Sequence, residues 1–171
     1  MLKLLFSFLL LLGGTGAGWA MAQPLQDRKK QLEQLAALLE TLREELRYTR
    51  KPLGELAEAI GARSDSAAGR LLNRFGVCLL TDPLQGPARA MDESLNNTAG
   101  LALLEEDLHI LRELGAEIGK TDVEGQESLL LRTRSALQKQ LREAEELCSG
   151  KGRMYRGMGT AAAVLLVVLF L

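Results

Sequence analysis

Residues 32–46, which read LEQLAALLETLREEL, carry the pattern that decides the fold of this chain. Leucines recur there at alternating steps of three and four residues, which places them on one face of an α-helix. These leucines are Leu32, Leu35, Leu39, Leu42 and Leu46. Charged side chains such as Glu33 and Glu40 cover the remaining faces. The pattern predicts a long amphipathic helix over about residues 24–50 whose leucine face packs against other helices.

The last stretch, residues 155–171, is almost entirely apolar, and no charge follows Arg156. At a rise of about 1.5 Å per residue, a helix of this length reaches roughly 25 Å, enough to cross a thin hydrocarbon layer. It is apolar on every side, whereas a helix on the surface of a globular core keeps a polar stripe. Lys151 and Arg153 precede it, where cytoplasmic flanks collect positive charge. We therefore predict a transmembrane helix over residues 154–171 rather than a buried last helix of a core.

Residues 1–22 permit two interpretations. The triplet Ala-Met-Ala at positions 20–22 fits the cleavage site of a secretory signal peptide after an apolar region. However, the chain stays uncharged from residue 4 to residue 26, and three positive charges follow at positions 28–30. This distribution favours an uncleaved transmembrane helix over residues 1–22 with the following part on the cytoplasmic side. Residues 23–153 are then predicted to form a cytoplasmic helical domain between two membrane anchors.

Five further helices are predicted at about residues 53–60, 64–80, 87–96, 103–118 and 122–148. Gly61 is predicted to end the second helix, and Ser64 or Asp65 to cap the third. Residues 96–100 read as a loop, and Gly119 ends the fifth helix. The apolar seam of the sixth helix is Leu130, Thr133, Leu137, Leu141, Ala144 and Cys148.

The first and sixth helices are each predicted to be about 40 Å long. One leaves the membrane and the other returns to it, so the two are expected to be antiparallel, with the four shorter helices packed on them. The predicted fold class is therefore all-α: a six-helix bundle built on two long antiparallel helices, with a single transmembrane helix at each end.

The composition excludes several classes of function. The net charge is −1, so there is no overall attraction to nucleic acid. Only 4% of the residues are aromatic, while leucine, alanine, glutamate and arginine abound, as in all-helical proteins. His109 is the only histidine, so one chain cannot assemble a histidine-based triad or a multi-histidine metal site. Cys78 and Cys148 lack metal-ligand spacing and are too few for a disulfide scaffold.

No catalytic, metal or cofactor site is predicted, and we expect a protein that is not an enzyme. Asp82, Asp92 and Glu93 could be considered as paired carboxylates, but nothing in the sequence supplies an acid–base partner or a pocket for them. The glycines at positions 13–16 lack the lysine of a P-loop and lie inside the apolar segment.

Two positions near helix contacts are candidates for structural or partner-binding roles. Tyr48 stands close to the bend at Pro52, and it either presents its ring to a partner or packs the ring locally, the latter being the expected role. Gly115 marks either a close crossing of two helices or a notch in a binding surface, and packing is again the favoured interpretation.

The start of the sixth helix supplies the other candidates. Thr121 and Glu124 match a capping box, in which the threonine hydroxyl accepts from the third backbone N–H and the glutamate reaches back. Thr121 and Asp122 therefore have a complete explanation as caps. Gln126 lies in the first turns of the helix, where its amide can satisfy a neighbouring loop.

An ordered set of residues along the whole chain resembles the stage III sporulation protein AB family. The set is the leucine seam ending at residues 42–46, Tyr48, Pro52, Leu53, Glu106-Asp107, Leu114-Gly115, Gly119, Thr121-Asp122, Gln126 and Met154-Tyr155-Arg156. The chain departs from the family pattern at Leu114, where phenylalanine is expected before the glycine, and over residues 83–97, which are less apolar than expected.

The resemblance implies a protein of the mother-cell membrane around the forespore, acting in the channel complex needed for endospore formation. The soluble part of the family is similar to the cytoplasmic domains of the inner-membrane platform proteins of type II secretion and type IV pilus systems. The implied partners are the secretion-type ATPase of the stage III sporulation set, other membrane components of the channel complex and the lipid bilayer.

Two other function classes remain open at this point. If residues 1–22 were cleaved, the chain would be an exported, surface-tethered helical interaction module. An enzyme, with a hydrolase as its least implausible form, would need a cluster of functional groups that the sequence does not show.

Overall fold

The computed structural model describes residues 2–49 and 51–170, with side chains described for residues 23–49 and 51–150. Within these residues the secondary structure is entirely helical, which confirms the predicted all-α class. The helices are α1 (Leu2–Tyr48), α2 (Leu53–Ala62), α3 (Ala67–Thr81), α4 (Gly86–Asn97), α5 (Glu105–Glu117) and α6 (Val123–Phe170), with a 3-10 turn at Pro83–Gln85. The chain divides into two compact units, Lys30–Arg142 and the pair Met1–Lys29 and Glu143–Leu171.

The unit Lys30–Arg142 is a helical bundle with one apolar core. Four of the five leucines on the apolar face of residues 32–46 are buried, and Leu46 is partly exposed. From the other helices the largest fully buried apolar side chains are Phe75, Leu111, Leu130 and Leu137, together with Ile118 after α5. Burial of each such side chain contributes about 1.5–3 kcal/mol. Helix-on-helix packing of leucine faces therefore stabilises this unit.

The two long helices run antiparallel within the bundle. Glu40 of α1 pairs with Arg134 of α6 at 3.1 Å, and Arg43, one turn later on α1, pairs with Glu127 at 2.5 Å. Because the position on α6 falls as the position on α1 rises, the helices have opposite directions, as predicted.

The second unit holds the outer parts of the same two helices. Lys29 pairs with Glu145 at 3.1 Å, and the Cys148 thiol donates to the carbonyl of Leu25 at 3.2 Å. Both contacts follow the antiparallel order. Ala144 is buried there, as the predicted α6 seam requires.

The two predicted transmembrane segments, residues 1–22 and 154–171, lie outside the residues whose side chains are described. In the part that is described, no helix is long and apolar enough to cross a membrane. The predicted start of the first long helix at residue 24 was wrong, because α1 continues through Pro24. Pro24 is exposed, so solvent can compensate for the backbone hydrogen bond that a proline removes.

Two signals between α2 and α3 were misread. Gly61 does not end α2 but lies inside it, where a Cβ would stand 2.2 Å from the backbone nitrogen of Asn73. The glycine is therefore required by close helix approach, not by a turn. The cap of α3 is Ser66 rather than Ser64 or Asp65, and its hydroxyl accepts from the Gly69 N–H at 2.9 Å.

The connection between α4 and α5 is held by side chains that the sequence did not single out. Gln31, buried on α1, donates to the Gly100 carbonyl and accepts from the Ala102 N–H, both at 2.8 Å. Asp107 is fully buried, and its carboxylate accepts from the Leu104 N–H at 2.9 Å at the start of α5. Both residues supply hydrogen-bond partners to backbone groups that have none within a helix.

Candidate functional site

Three connections of the bundle, α1–α2, α3–α4 and α5–α6, lie at the same end, which we call the three-loop end. A Cβ on Gly54, at the start of α2, would contact Leu80 near the end of α3. Pro87, at the start of α4, stands close to Gly115 near the end of α5, and a Cβ on Gly119, in the α5–α6 connection, would contact its ring. Ion pairs of Arg43 and Arg47 with Glu127 bring the end of α1 close to the start of α6, and so place the α5–α6 connection at this end too. All six candidate residues from the sequence lie at or beside this end.

Tyr48 has a large side chain that lies in solvent. Its side chain is 80% exposed, and the guanidinium of Arg47 lies 5.8 Å from the ring centroid. The expectation that this ring packs locally was therefore wrong. A helix that ends before the bend leaves its last residue without a neighbouring helix to cover it. Pro52, also exposed, stands directly before α2 in an extended conformation.

The start of α6 is capped by Asp122 and not by the predicted box of Thr121 with Glu124. The Asp122 carboxylate accepts from the Gly125 N–H at 3.0 Å, as an N-cap aspartate does. Gln126 donates its amide to the Thr121 carbonyl at 3.0 Å. These three residues fix the α5–α6 connection.

Gly115 lies at a close contact between α4 and α5. A Cβ at this position would stand 2.5 Å from the Met91 Cβ and 3.3 Å from the Pro87 carbonyl. Gly115 is itself buried, so it offers no notch on the surface. Helix packing accounts for this glycine.

Leu84, which the sequence did not single out, is 98% exposed in the α3–α4 connection. The only available signal was its position: an apolar residue directly after Pro83, in a segment too short to form its own core. Leu84 and Tyr48 place large apolar groups in solvent at the three-loop end. Tyrosine is enriched at the centres of protein interfaces, and the exposed leucine at the same end adds apolar surface that a partner can bury.

Next to the three-loop end, a network of charged side chains joins α1 to α6. Arg43 donates to Glu40 at 2.7 Å, and Glu40 also pairs with Arg134. The hydrogen bond from Arg43 holds the pKa of Glu40 below its ordinary value of 4.5, burial opposes this effect, and the nearby charge of Arg134 adds to it. The ionised carboxylate is therefore the form that stabilises the helix pair.

The depressed pKa of Glu40 predicts a dependence of stability on pH. The stabilisation is present above about pH 4.5, the unfolded value, and is lost as the pH falls through the lower pKa of the folded state. We expect Glu40→Gln to lower the free energy of unfolding at about pH 6, with the difference from the original chain shrinking toward about pH 3. Urea denaturation across this range measures it, with the exposed Glu33→Gln as the control. A constant difference at all pH values would contradict the assignment.

Two of the carboxylates that the sequence offered as a possible acid–base pair lie among structural contacts in the described part of the chain. No group of three or more potential metal ligands occurs among the described residues. Asp82 accepts from the Leu84 N–H at 3.2 Å, and Asp92 lies 3.4 Å from Arg112. Both of these carboxylates thus have structural partners.

Comparison with known proteins assigns the family. A family model described as Stage III sporulation protein AB matches residues 3–171. The chain belongs to the stage III sporulation protein AB family. The resemblance inferred from the sequence is therefore confirmed.

Two known proteins are similar to this chain. Stage III sporulation protein AB of Bacillus subtilis (strain 168) is 26% identical over 173 residues, which cover 100% of both chains. A solved structure of a stage III sporulation protein AB has a TM-score of 0.65 and 23% identity, covering 71% of this chain and 96% of its own. The second likeness shows that the helical fold is shared.

Proposed function

We propose that this member of the stage III sporulation protein AB family is a non-enzymatic membrane platform that docks a secretion-type ATPase through its three-loop end. The observation that carries the proposal is the exposure of Tyr48 and Leu84 at that end. Family membership supports a role in sporulation. The platform role itself rests on the resemblance of the family's soluble part to secretion platform domains.

The proposed location follows from the two apolar segments. Residues 1–22 and 154–171 anchor the chain in the mother-cell membrane around the forespore, and residues 23–153 lie in the cytosol. The positive charges at positions 28–30 and at Lys151 and Arg153 are on the side that this topology requires. Other membrane components of the channel complex are the neighbours expected for such an anchored protein. Nucleic acid is not an expected partner, given the net charge of −1.

The three-loop end has the physical properties of a docking surface. At this end the Asp122 carboxylate caps α6, the Leu84 N–H donates to Asp82, and Gly115 packs against α4. These contacts reduce the conformational entropy that binding would cost. Tyr48 has only two rotatable side-chain bonds and combines an apolar ring with a hydroxyl. A partner that covers both Tyr48 and Leu84 gains apolar burial without reorganising the bundle.

The proposal predicts that the double substitution Tyr48→Ala with Leu84→Ala weakens ATPase binding at least tenfold. Truncation of an interface anchor costs more than about 1 kcal/mol, and about 2 kcal/mol or more at a hot spot. The measurement is a binding titration of the full chain in neutral detergent micelles against the purified sporulation ATPase.

Leu104→Ala is the matched control, because Leu104 is also exposed but belongs to the α4–α5 connection. It is expected to change the dissociation constant less than twofold. No association of the original chain at about 100 μM would contradict the ATPase role. Equal losses in the control and the double variant would instead contradict the assignment to the three-loop end.

A further inference from the structure

A second surface feature lies on other connections of the bundle and has no part in the proposed docking. It is a cleft of about 750 Å³ that runs beside α3. One wall is the α2–α3 turn, and the other is formed by the last residue of α4 and the α4–α5 loop. Small-molecule and cofactor sites in proteins have volumes of about 300–1,000 Å³, so this cleft is as large as such a site. The side chains that matter for its chemistry are Asp65, Arg70, Arg74 and Val77.

Arg70 is held at one end of the cleft and bridges its two walls. Its guanidinium donates to the Asp65 carbonyl at 2.9 Å and to the Ala99 carbonyl at 3.4 Å. The Asp65 carboxylate is 4.0 Å away and fully exposed to solvent, so it neutralises Arg70 only weakly. The positive charge of Arg70 is therefore fixed in place and still available to a ligand.

Arg74 follows Arg70 by four residues and lines the same cleft. Among the described residues it has no hydrogen bond or ion pair, and its side chain is exposed. Val77, the next residue on this face of α3, is 41% exposed in the same cleft. The cleft thus presents two positive charges and then an apolar side chain, in that order along the helix.

We propose that this cleft binds an extended acidic segment of a partner protein, with carboxylates at alternate positions followed by an apolar residue. Four residues of helix advance about 6 Å, which matches the spacing of about 6.6 Å between alternate residues of an extended chain. Two carboxylates at that spacing meet Arg70 and Arg74, where charge-assisted hydrogen bonds form. The next residue on the same side of the segment then reaches Val77.

The same geometry disfavours a compact phosphate group. Arg70 and Arg74 are spread along the helix, whereas a phosphate site needs donors that converge on one point. Two polar side chains of the walls are already engaged: Asn97 donates to the Glu93 carbonyl, and Ser64 shares a hydrogen bond with Ser66. The exposed Val77 adds apolar contact that an inorganic anion would not use.

The test uses the full chain in neutral detergent micelles and a fluorescent peptide containing Glu-Ser-Glu-Ser-Leu, followed by fluorescence anisotropy. We expect saturable binding that weakens with added salt and that falls at least tenfold in the Arg74→Glu variant. Arg89→Glu is the matched control, because Arg89 is an exposed α4 arginine without a pairing partner among the described residues. Arg89→Glu is expected to leave the affinity for the peptide within twofold of the original value. The helical content of the bundle is expected to be unchanged in both variants.

Several results would overturn the proposal. One is the absence of peptide binding at about 1 mM, and another is an equal loss in the Arg74→Glu and Arg89→Glu variants. A Gln-Ser-Gln-Ser-Leu peptide that binds equally well would show that carboxylates are not recognised. Binding of the chain's cleft to inorganic phosphate, or to anionic vesicles in preference to the peptide, would assign it to another ligand. The ATPase is absent from this experiment, so its outcome is independent of the platform proposal.

Discussion

Replacing Phe75 with alanine is expected to lower the free energy of unfolding by about 3–5 kcal/mol, which is the usual cost of emptying a large aromatic site. Phe75 is 1% exposed and packs among apolar residues of α1, α3, α4 and α5. No single neighbour can close the space, because the site is shared by four helices. Urea denaturation of the full chain in neutral detergent, followed by circular dichroism, measures the loss.

The control for Phe75 is Leu84→Ala. Leu84 is almost fully exposed, so the truncation is expected to change the free energy of unfolding by less than about 0.5 kcal/mol. Phe75→Leu should recover much of the stability that the alanine variant loses, because it refills most of the space. Equal stabilities of the Phe75→Ala and Leu84→Ala variants would show that the bundle is packed differently.

The substitution Gly76→Ala is expected to cost about 2–3 kcal/mol, although alanine is the better helix former by about 1 kcal/mol. A Cβ at Gly76 would lie 2.2 Å from the Glu58 backbone nitrogen and 2.6 Å from the Gly54 carbonyl. These are backbone atoms of α2, so no side chain can rotate away. The two helices must separate, and the contacts around Gly61 on the other helix are lost with them.

Gly150→Ala is the matched control for this second prediction. Gly150 also lies in a helix, but a Cβ there would meet nothing within 4 Å. The control should leave the free energy of unfolding unchanged or raise it slightly. If Gly76→Ala were equally harmless, α2 and α3 would not approach as closely as the structure shows.

The sequence was sufficient to predict the helices that carry a long apolar seam. The predictions failed at single residues whose type is compatible with more than one structural role. The leucine spacing of α1 and α6 leaves few alternatives, because the leucines can be buried together only on one helical face. Gly61 and Ser64 were misread because a glycine or serine near a helix end serves equally as a stop, a cap or a packing contact. Only the neighbouring helix decides between these uses.

The sequence selected six residues that lie at the three-loop end, but it revealed neither Leu84 nor the grouping of these residues. Tyr48, Pro52, Gly115, Thr121, Asp122 and Gln126 were all selected along the chain, yet nothing in their order showed that they share one end of the bundle. That fact depends on long-range contacts such as Pro87 with Gly115. The cleft at Arg70 and Arg74 was also missed. Two exposed arginines on a helix look like an ordinary solvated face, and only long-range contacts show that they line a cleft.

The contact of Gln31 with the α4–α5 loop has a mechanical consequence. The Gln31 side chain on α1 forms hydrogen bonds with two backbone groups of the loop. The Ala99 carbonyl of the same loop accepts a hydrogen bond from Arg70 on α3. A displacement of α1 along its axis must therefore drag the loop or break these hydrogen bonds. A force that moves α1 would therefore also move the α4–α5 loop, which forms one wall of the cleft that contains Arg70 and Arg74.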